Sequence, residues 1–450
     1  MTSTQDSRQP VRLPSATSWH PAKKTDPLDA SRKANEEIGL RQPSVISEDP
    51  TQRLLVAVPN DETGNGFLGS LREQQEALGF HFDGTLGEIL RRRNVERAAV
   101  ADQMRDKFAF LEILPGYHFA VMNGILRHAC AAKSPGDPFP NIEVEPDQRM
   151  RHCGKGLGPN FKLRSTGSKH DDYLNLLNTS AAPSSGKGVV IAVIDSGFEK
   201  AKVLDGFFDL VEPTNKSEKD NFGHGTAMAS IIKDVAKGAE VYAVRMSDQD
   251  PDVSEAMLGI GAGSFHYAAD ILNLSFALPE GTTCPHCGAQ SGVSKVLKRF
   301  LQSLAEKAVS ANGEPILVAA TGNDGRSTGF DSPARWDFAV AVGSITEALD
   351  RSAFSNYGTK LHAHYIMMPG GEEKKDTISE WVGEATHKCY GTSVAAAYAS
   401  ALLALYMSDS KYKNKNRVAF LKDVLDQCKA CRNQDPVEHG EGYLRYKPRP

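Results

Sequence analysis

At 450 residues, with 40% hydrophobic and 24% charged side chains, the chain is long enough to bury a large core and to form two or three domains. A formal net charge of -4 gives no reason to expect a nucleic-acid partner, which favours a clustered basic surface, and the run Arg91-Arg92-Arg93 reads as a solvated helix face. Seven cysteines, an odd number, do not resemble a secreted disulfide framework and fit free thiols in a reducing compartment.

Residues 1–50 are polar, with scattered Pro and Ser and no sustained period, and are predicted to form a tail without a packed core. The first residues lack the apolar core of a secretory signal. The longest apolar run, Val394 to Met407, is too short and too alanine-rich to span a bilayer. The default expectation is therefore a cytoplasmic protein without a membrane partner, with leaderless export left open.

From residue 51 the pattern changes. "RLLVAVP" (53–59) predicts a strand, "FLGSLREQQEALG" (67–79) an amphipathic helix, and 86–106 a charged helical stretch. "KFAFLEILPG" (107–116) is apolar, "YHFAVMNGILRHACAA" has helical spacing, and "NIEVEPDQRM" (141–150) contains a short strand. Two β-α-β halves of this kind make a small α+β domain over 51–150 with helices on one face. Residues 151–180 read as an exposed linker with one short helix.

Beyond residue 180 strands and helices alternate. "GVVIAVIDSG" (188–197) is a near-continuous apolar strand, the mark of a parallel sheet covered on both faces. "AEVYAVRM" (239–246), "ADILNLSFA" (269–277), "EPILVAATG" (314–322) and "FAVAVGSI" (338–345) repeat it, with helices fitting at 225–236, 253–268 and 291–312. The fold class expected over 181–435 is α/β, a doubly wound and mostly parallel sheet, with its site at the carboxyl ends of the strands. Residues 436–450 are read as a C-terminal tail.

Four residues at such ends suit one chemistry. Asp195 closes a strand, His224 lies between glycines at a helix start, Asn323 closes another strand, and Ser393 opens the apolar helix of "KCYGTSVAAAYASALLALYM". Ser is a good N-cap and needs no further explanation on its own. Together with the others it supplies a full set of roles: a hydroxyl nucleophile, an imidazole to take its proton, a carboxylate to hold the imidazole, and an amide to donate to an oxyanion. The order Asp, His, Ser matches one known arrangement of such triads.

The blocks "VIAVIDSGF", "GHGTAMASI", "ILNLSFAL", "VAATGND" and "YGTSVAAAYAS" resemble, in order, the hallmark blocks of the subtilisin-like (subtilase) serine peptidases. Spacings of 29 residues from Asp195 to His224 and 169 from His224 to Ser393 agree with that resemblance. The resemblance implies a serine endopeptidase acting on proteins or peptides. Asp195 orients, His224 is general base and acid, Ser393 attacks, and Asn323 donates to the oxyanion. It implies that a substrate lies extended along Asn273–Ser275 (Asn273, Leu274, Ser275). It also places Asp324 and Asp331 at the pocket for the residue before the scissile bond, where a buried carboxylate would favour Arg or Lys. Val394 and Ala397 depart from the family's usual Met and Pro after the nucleophile, without touching a proposed role.

"NIEVEPDQRM" is similar to the end of the inhibitory prosegments that precede many subtilases, whose fold is ferredoxin-like. On that resemblance 51–150 is the chain's own inhibitor, cleaved within 150–170. A catalytically silent relative that binds peptides is the alternative. No cofactor is required for the chemistry. Structural calcium has no loop specific enough to assign. Zinc has two Cys-x-x-Cys pairs as candidates, Cys284 with Cys287 and Cys428 with Cys431, beside the reading as free thiols.

Overall fold

The computed structural model describes residues 53–114, 141–153, 170–199, 204–213, 220–280, 292–358, 361–372, 378–382, 385–412 and 415–447. The tail read over 1–50, the helix read over 117–132, and the zinc candidates Cys284 and Cys287 lie outside these residues. Two compact units result: one holds residues up to Ile89, Ala99–Gln148 and Gly281–Phe300, the other Leu90–Ala98, Arg149–Glu280 and Leu301 onward.

The first unit is an antiparallel sheet of β1 (Arg53–Pro59), β2 (Phe80–Thr85), β3 (Asp106–Ile113) and β4 (Glu143–Pro146), with α1 (Glu62–Leu78) and α2 (Leu86–Arg92) between strands. The strand order β2-β3-β1-β4 is that of a ferredoxin-like sheet, as expected. Strand β1 sits between β3 and β4, and Leu54 to Val58 are buried without a break rather than alternating. Helix α1 starts where the Asp61 carboxylate accepts from the Gly64 amide. It stops at Gly79, whose left-handed φ of 78° returns its amide to the carbonyls of Gln75 and Glu76.

The second unit is built on a seven-stranded parallel sheet. In chain order its elements begin with β5 (Arg151–His152), α3 (His170–Leu177), β6 (Val190–Asp195), β7 (Gly206–Asp209), α4 (His224–Val235), β8 (Glu240–Arg245) and α5 (Val253–Phe265). They continue with β9 (Ile271–Leu274), β10 (Phe276–Ala277), α6 (Lys295–Ala305), β11 (Ile316–Ala320), β12 (Val340–Ile345) and β13 (Tyr365–Pro369). A hairpin of β14 (Ile378–Val382) and β15 (Ala385–Cys389), then α7 (Thr392–Ser408), α8 (Arg417–Leu425) and α9 (Pro436–His439), complete it.

The sheet order β13-β12-β11-β9-β6-β8-β7 reverses direction at β6, and every neighbouring pair is parallel. The apolar runs read as strands are the inner strands, buried except at Val190, Glu240 and Tyr242 because helices cover both faces. Helix α7 is apolar all round and packs against α4, β9, β11, β12 and β13. Its alanines let the backbone come close to all of them. The crevice beside β6, at the carboxyl ends of the strands, is therefore where a site is expected.

Three features differ from the sequence reading. Strands β7 and β13 extend the sheet at its two edges, although "GFFD" is too short and "YIMMP" too poor in β-branched residues to be read as strands. The helix read over 291–312 is confined to α6. The residues read as a C-terminal tail instead pack: Leu444 and Tyr446 are buried in the main core, and Tyr443 pairs with Lys429.

The first turns of α6, up to Phe300, belong to the first unit, and there Glu145 caps the start of the helix. Its carboxylate accepts from the Ser294 hydroxyl, from the Lys295 amide at 2.9 Å and from the Val296 amide at 3.3 Å. Burial pushes this carboxyl up to about 7, against the lowering effect of those three donors. A folded-state value above the ordinary 4.5 means that the folded chain holds the proton longer than the unfolded chain does. Stability must then fall as pH rises from 4.5 to 7 and level off outside that window. Glu145→Gln keeps an acceptor and removes the titration. The stability difference between the two proteins should therefore change by up to about 3 kcal/mol across the window. A pH-independent difference in urea midpoints would contradict this account.

Candidate active site

Asp195 ends β6 fully buried, and its Oδ1 accepts from the Ser196 amide and from His224 Nδ1, each at 2.8 Å. His224 is the first residue of α4 and is also fully buried. The two meet because Gly225 has no side chain: a Cβ there would lie 2.3 Å from the Gly197 carbonyl oxygen and 3.0 Å from Asp195 Cβ. Only glycine lets the helix begin against the turn that follows β6.

With Nδ1 donating to the carboxylate, His224 Nε2 is left as an acceptor, buried and, among the described residues, without a hydrogen-bond partner. Burial lowers the imidazole's affinity for a proton, but the Asp195 charge and hydrogen bond outweigh it and hold His224 above its ordinary 6.5. Burial likewise pushes Asp195 up, and the charges of His224 and His152 with two hydrogen bonds reverse this, leaving it below the usual carboxylate range. A carboxylate that stays ionised beside an imidazole that takes a proton readily is the electrostatic arrangement a general base needs.

A carbonyl lies opposite. The Cys153 carbonyl oxygen accepts from the Ser393 backbone amide at 3.1 Å and from the Asn323 side-chain amide. The Ser393 amide is free to donate because it lies in the first turn of α7, where no intrahelical acceptor exists. Asn323 has its orientation fixed by Thr392, whose amide and hydroxyl both donate to Asn323 Oδ1 at 2.9 Å, so Nδ2 faces the carbonyl. Gly322, at φ 102°, permits the turn after β11; a Cβ there would stand 2.2 Å from Asp331 Oδ2. The Ser393 hydroxyl donates to the Ser275 carbonyl at 3.0 Å.

Residues 149–153 run as an extended strand between two others. On one side β5 is antiparallel to β10, with Phe276 opposite His152 and Ala277 opposite Arg151, and the Cys153 amide donates to Ser275 O at 3.0 Å. On the other, the Met150 amide donates to Pro251 O at 2.8 Å, Arg149 bridges Asp252, and the His152 amide donates to Asp250 at 2.8 Å. The His152 ring packs 4.7 Å from the His224 ring and 5.3 Å from Phe222. This is a peptide added as a strand to exposed edges.

Asp195 with His224, and Asn323 with Ser393, thus form two pairs that meet adjacent residues of one strand, the first beside the His152 ring and the second at the Cys153 carbonyl. Of the residues read as a substrate strand, Ser275 touches the extended segment, whereas Asn273 and Leu274 lie within β9 in the core. The Asn273 side chain bonds Ser275 and Ser400 there. The strand edge that receives the segment is Ser275–Ala277, displaced toward the carboxyl end. Asp324 and Asp331 do not face Cys153 with a free carboxylate. Fully buried Asp331 accepts from the Glu280 amide and pairs with Arg326, and Asp324 pairs with Arg151.

Of the two cysteine pairs read as zinc candidates, Cys284 and Cys287 fall outside the described residues. Cys428 and Cys431 are free thiols, and burial raises both above the ordinary thiol range. Among the described residues no third ligating side chain joins them. The group that brings nitrogen and oxygen atoms within 4.8 Å of one another is instead His152, Asp195 and His224.

A model of the subtilase family matches residues 186–442, more than half of the chain. The chain is similar to the minor extracellular protease Epr of Bacillus subtilis, 30% identical over 64% of this chain and 43% of that protein. It is also similar to proteinase R of Parengyodontium album, 28% identical over 54% of this chain and 60% of that protein. Subtilisin NAT of Bacillus subtilis subsp. natto is 27% identical over 50% and 56% respectively. The chain therefore spans about half the length of these relatives.

Sequence reasoning missed Asp220. One of its oxygens accepts from the Gly223 and Phe222 amides and from the Ser196 hydroxyl, the other from the Thr226 amide and hydroxyl. Ser196 in turn accepts from the Gly225 amide at 3.0 Å, so one carboxylate ties the start of α4 to the end of β6. An acid four residues before His224, ahead of an apolar helix, was the available signal. Asp220→Ala strands several donors and should cost about 2–4 kcal/mol. Asp220→Asn, which keeps one acceptor oxygen, should cost less. Unchanged urea midpoints for Asp220→Ala would refute this role.

Proposed function

The chain belongs to the subtilase family, and on that premise we propose that it is a serine endopeptidase made as a self-inhibited precursor. The observation that carries the reading is the Cys153 carbonyl held by the Ser393 amide and Asn323 Nδ2, the geometry of an oxyanion site around a substrate carbonyl. The bond presented is Cys153–Gly154, inside the stretch read as the processing region. In this reading the Ser393 hydroxyl turns from Ser275 O and gives its proton to His224 Nε2 as oxygen attacks the Cys153 carbonyl carbon. Asp195 holds the imidazole and stabilises its cation. The tetrahedral oxyanion draws on the two donors, and collapse expels the Gly154 amine with the proton returned by His224. Water then releases the acyl group by the same route. The product tail ending at Cys153 keeps its strand pairing and goes on blocking the cleft until it is removed, and the small antiparallel unit that precedes it serves as its carrier.

Mass spectrometry of purified wild-type protein should find a new N-terminus at Gly154, while Ser393→Ala stays intact and takes no fluorophosphonate label. An intact, unlabelled wild type would favour the silent peptide-binding alternative. Asp195→Asn should lower kcat by about 10³–10⁴. Because the base must be neutral and His224 is held above 6.5, kcat/KM should rise with pH through a midpoint above that value. A midpoint below it would count against the pairing of His224 with Asp195.

A further inference from the structure

The carboxylate of Asp324 meets not the residue before the presented bond but the one two places earlier. Arg151 Nη2 is hydrogen-bonded to Asp324 Oδ2 and stands 3.7 Å from Asp331 Oδ2. Asp331 is fully buried, while Asp324 and Arg151 are each about one-third exposed. Among the described residues the cation that otherwise faces these acids is Arg326, paired with Asp331 and 3.8 Å from Asp324. Glu280 and Arg335 beside them pair with each other at 3.4 Å. Two carboxylates against one guanidinium leave one negative charge, and Arg151 neutralises it. Asp324 is held for this purpose: its amide and that of Arg326 both donate to Asn356 Oδ1 at 3.0 Å, and Asn356 donates to the Thr321 carbonyl. The acid therefore stands on the same braced turn that carries Asn323. The residue occupying the pocket next to the bond is by contrast the small Cys153, whose thiol has no carboxylate partner at hydrogen-bond distance among the described residues.

We propose that Asp324, backed by Asp331, is a specificity-determining residue that selects substrates with arginine or lysine at the third position before the scissile bond. The proposal rests on the proteolytic reading above and names its substrate class: basic at the third position, imidazole at the second, small at the first. Because the pair is partly solvated, its contribution is modest and salt-sensitive.

Quenched peptides spanning Gln148 to Leu157 of this sequence, with and without Arg151→Ala, test it on self-processed wild-type protein and on Asp324→Asn. The wild type should favour the arginine peptide about fivefold in kcat/KM. Half-molar salt should shrink that ratio, and Asp324→Asn should bring it to within about twofold. Equal cleavage of both peptides by the wild type would overturn the subsite and leave the peptidase standing. If neither is cut, the peptidase reading falls, and the subsite is then judged in the uncleavable Ser393→Ala chain. There Arg151→Ala must speed hydrogen exchange of the Met150 and Cys153 amides about fivefold, and unchanged exchange would overturn it.

Discussion

One constraint organises the second unit: a carbonyl oxygen must meet a backbone amide and a side-chain amide at the same point, away from water. The backbone donor exists only at the start of a helix, because everywhere further along it would be spent within the helix. That requirement places the N-terminus of α7 at the crevice and sends the rest of the helix through the core, where alanines allow it to pass close to four strands. The side-chain donor must point the right way, and an amide is nearly symmetric in shape. Thr392 settles the choice by giving two hydrogen bonds to Asn323 Oδ1. Residue 392 thus orients the donor while residue 393 supplies the other one. The opening of one helix fixes both halves of the site.

The same economy shows in the paired acid and base. Asp195 and His224 are taken fully out of water, a costly step for a carboxylate unless it is hydrogen-bonded and paired. Asp195 receives the Ser196 amide and the imidazole, and His224 receives its position from a helix start that Asp220 and the Ser196 hydroxyl tie down. Fold and site share these bonds. Substitutions at Asp220 are expected to reach both stability and the placement of His224 for that reason.

Much of this was legible in the sequence. Central parallel strands are uninterrupted apolar runs, since both faces are covered, and the residues that carry chemistry sit at their ends, where polarity changes abruptly. Edge strands β7 and β13 lack that signature. Asp220, Thr392 and Asn356 escaped notice because each works by accepting or donating to whatever faces it, and facing is a property of three dimensions. Asp324 was assigned to the right turn and the wrong neighbour. In an extended peptide, side chains two residues apart project to the same side, so a wall near Cys153 is also near Arg151. Sequence gives the wall; only the register of β5 against β10 tells which side chain it meets.

That register also bears on the state of the cleft in the proposed precursor. Beside the strand that reaches Cys153, His224 Nε2 is buried and has no hydrogen-bond partner among the described residues, while the Ser393 hydroxyl donates to Ser275 O. A buried acceptor without a donor costs about 1–3 kcal/mol. In the proposed reaction the Ser393 hydroxyl would leave Ser275 O and give that acceptor a donor. If the proposed cleavage occurs, the new carboxylate at Cys153 would keep both donors, and neither its strand pairing nor the contact of Arg151 with Asp324 depends on the bond lost. Under that proposal the cleaved segment would stay bound, and its release would come from breaking the strand rather than from the chemistry itself.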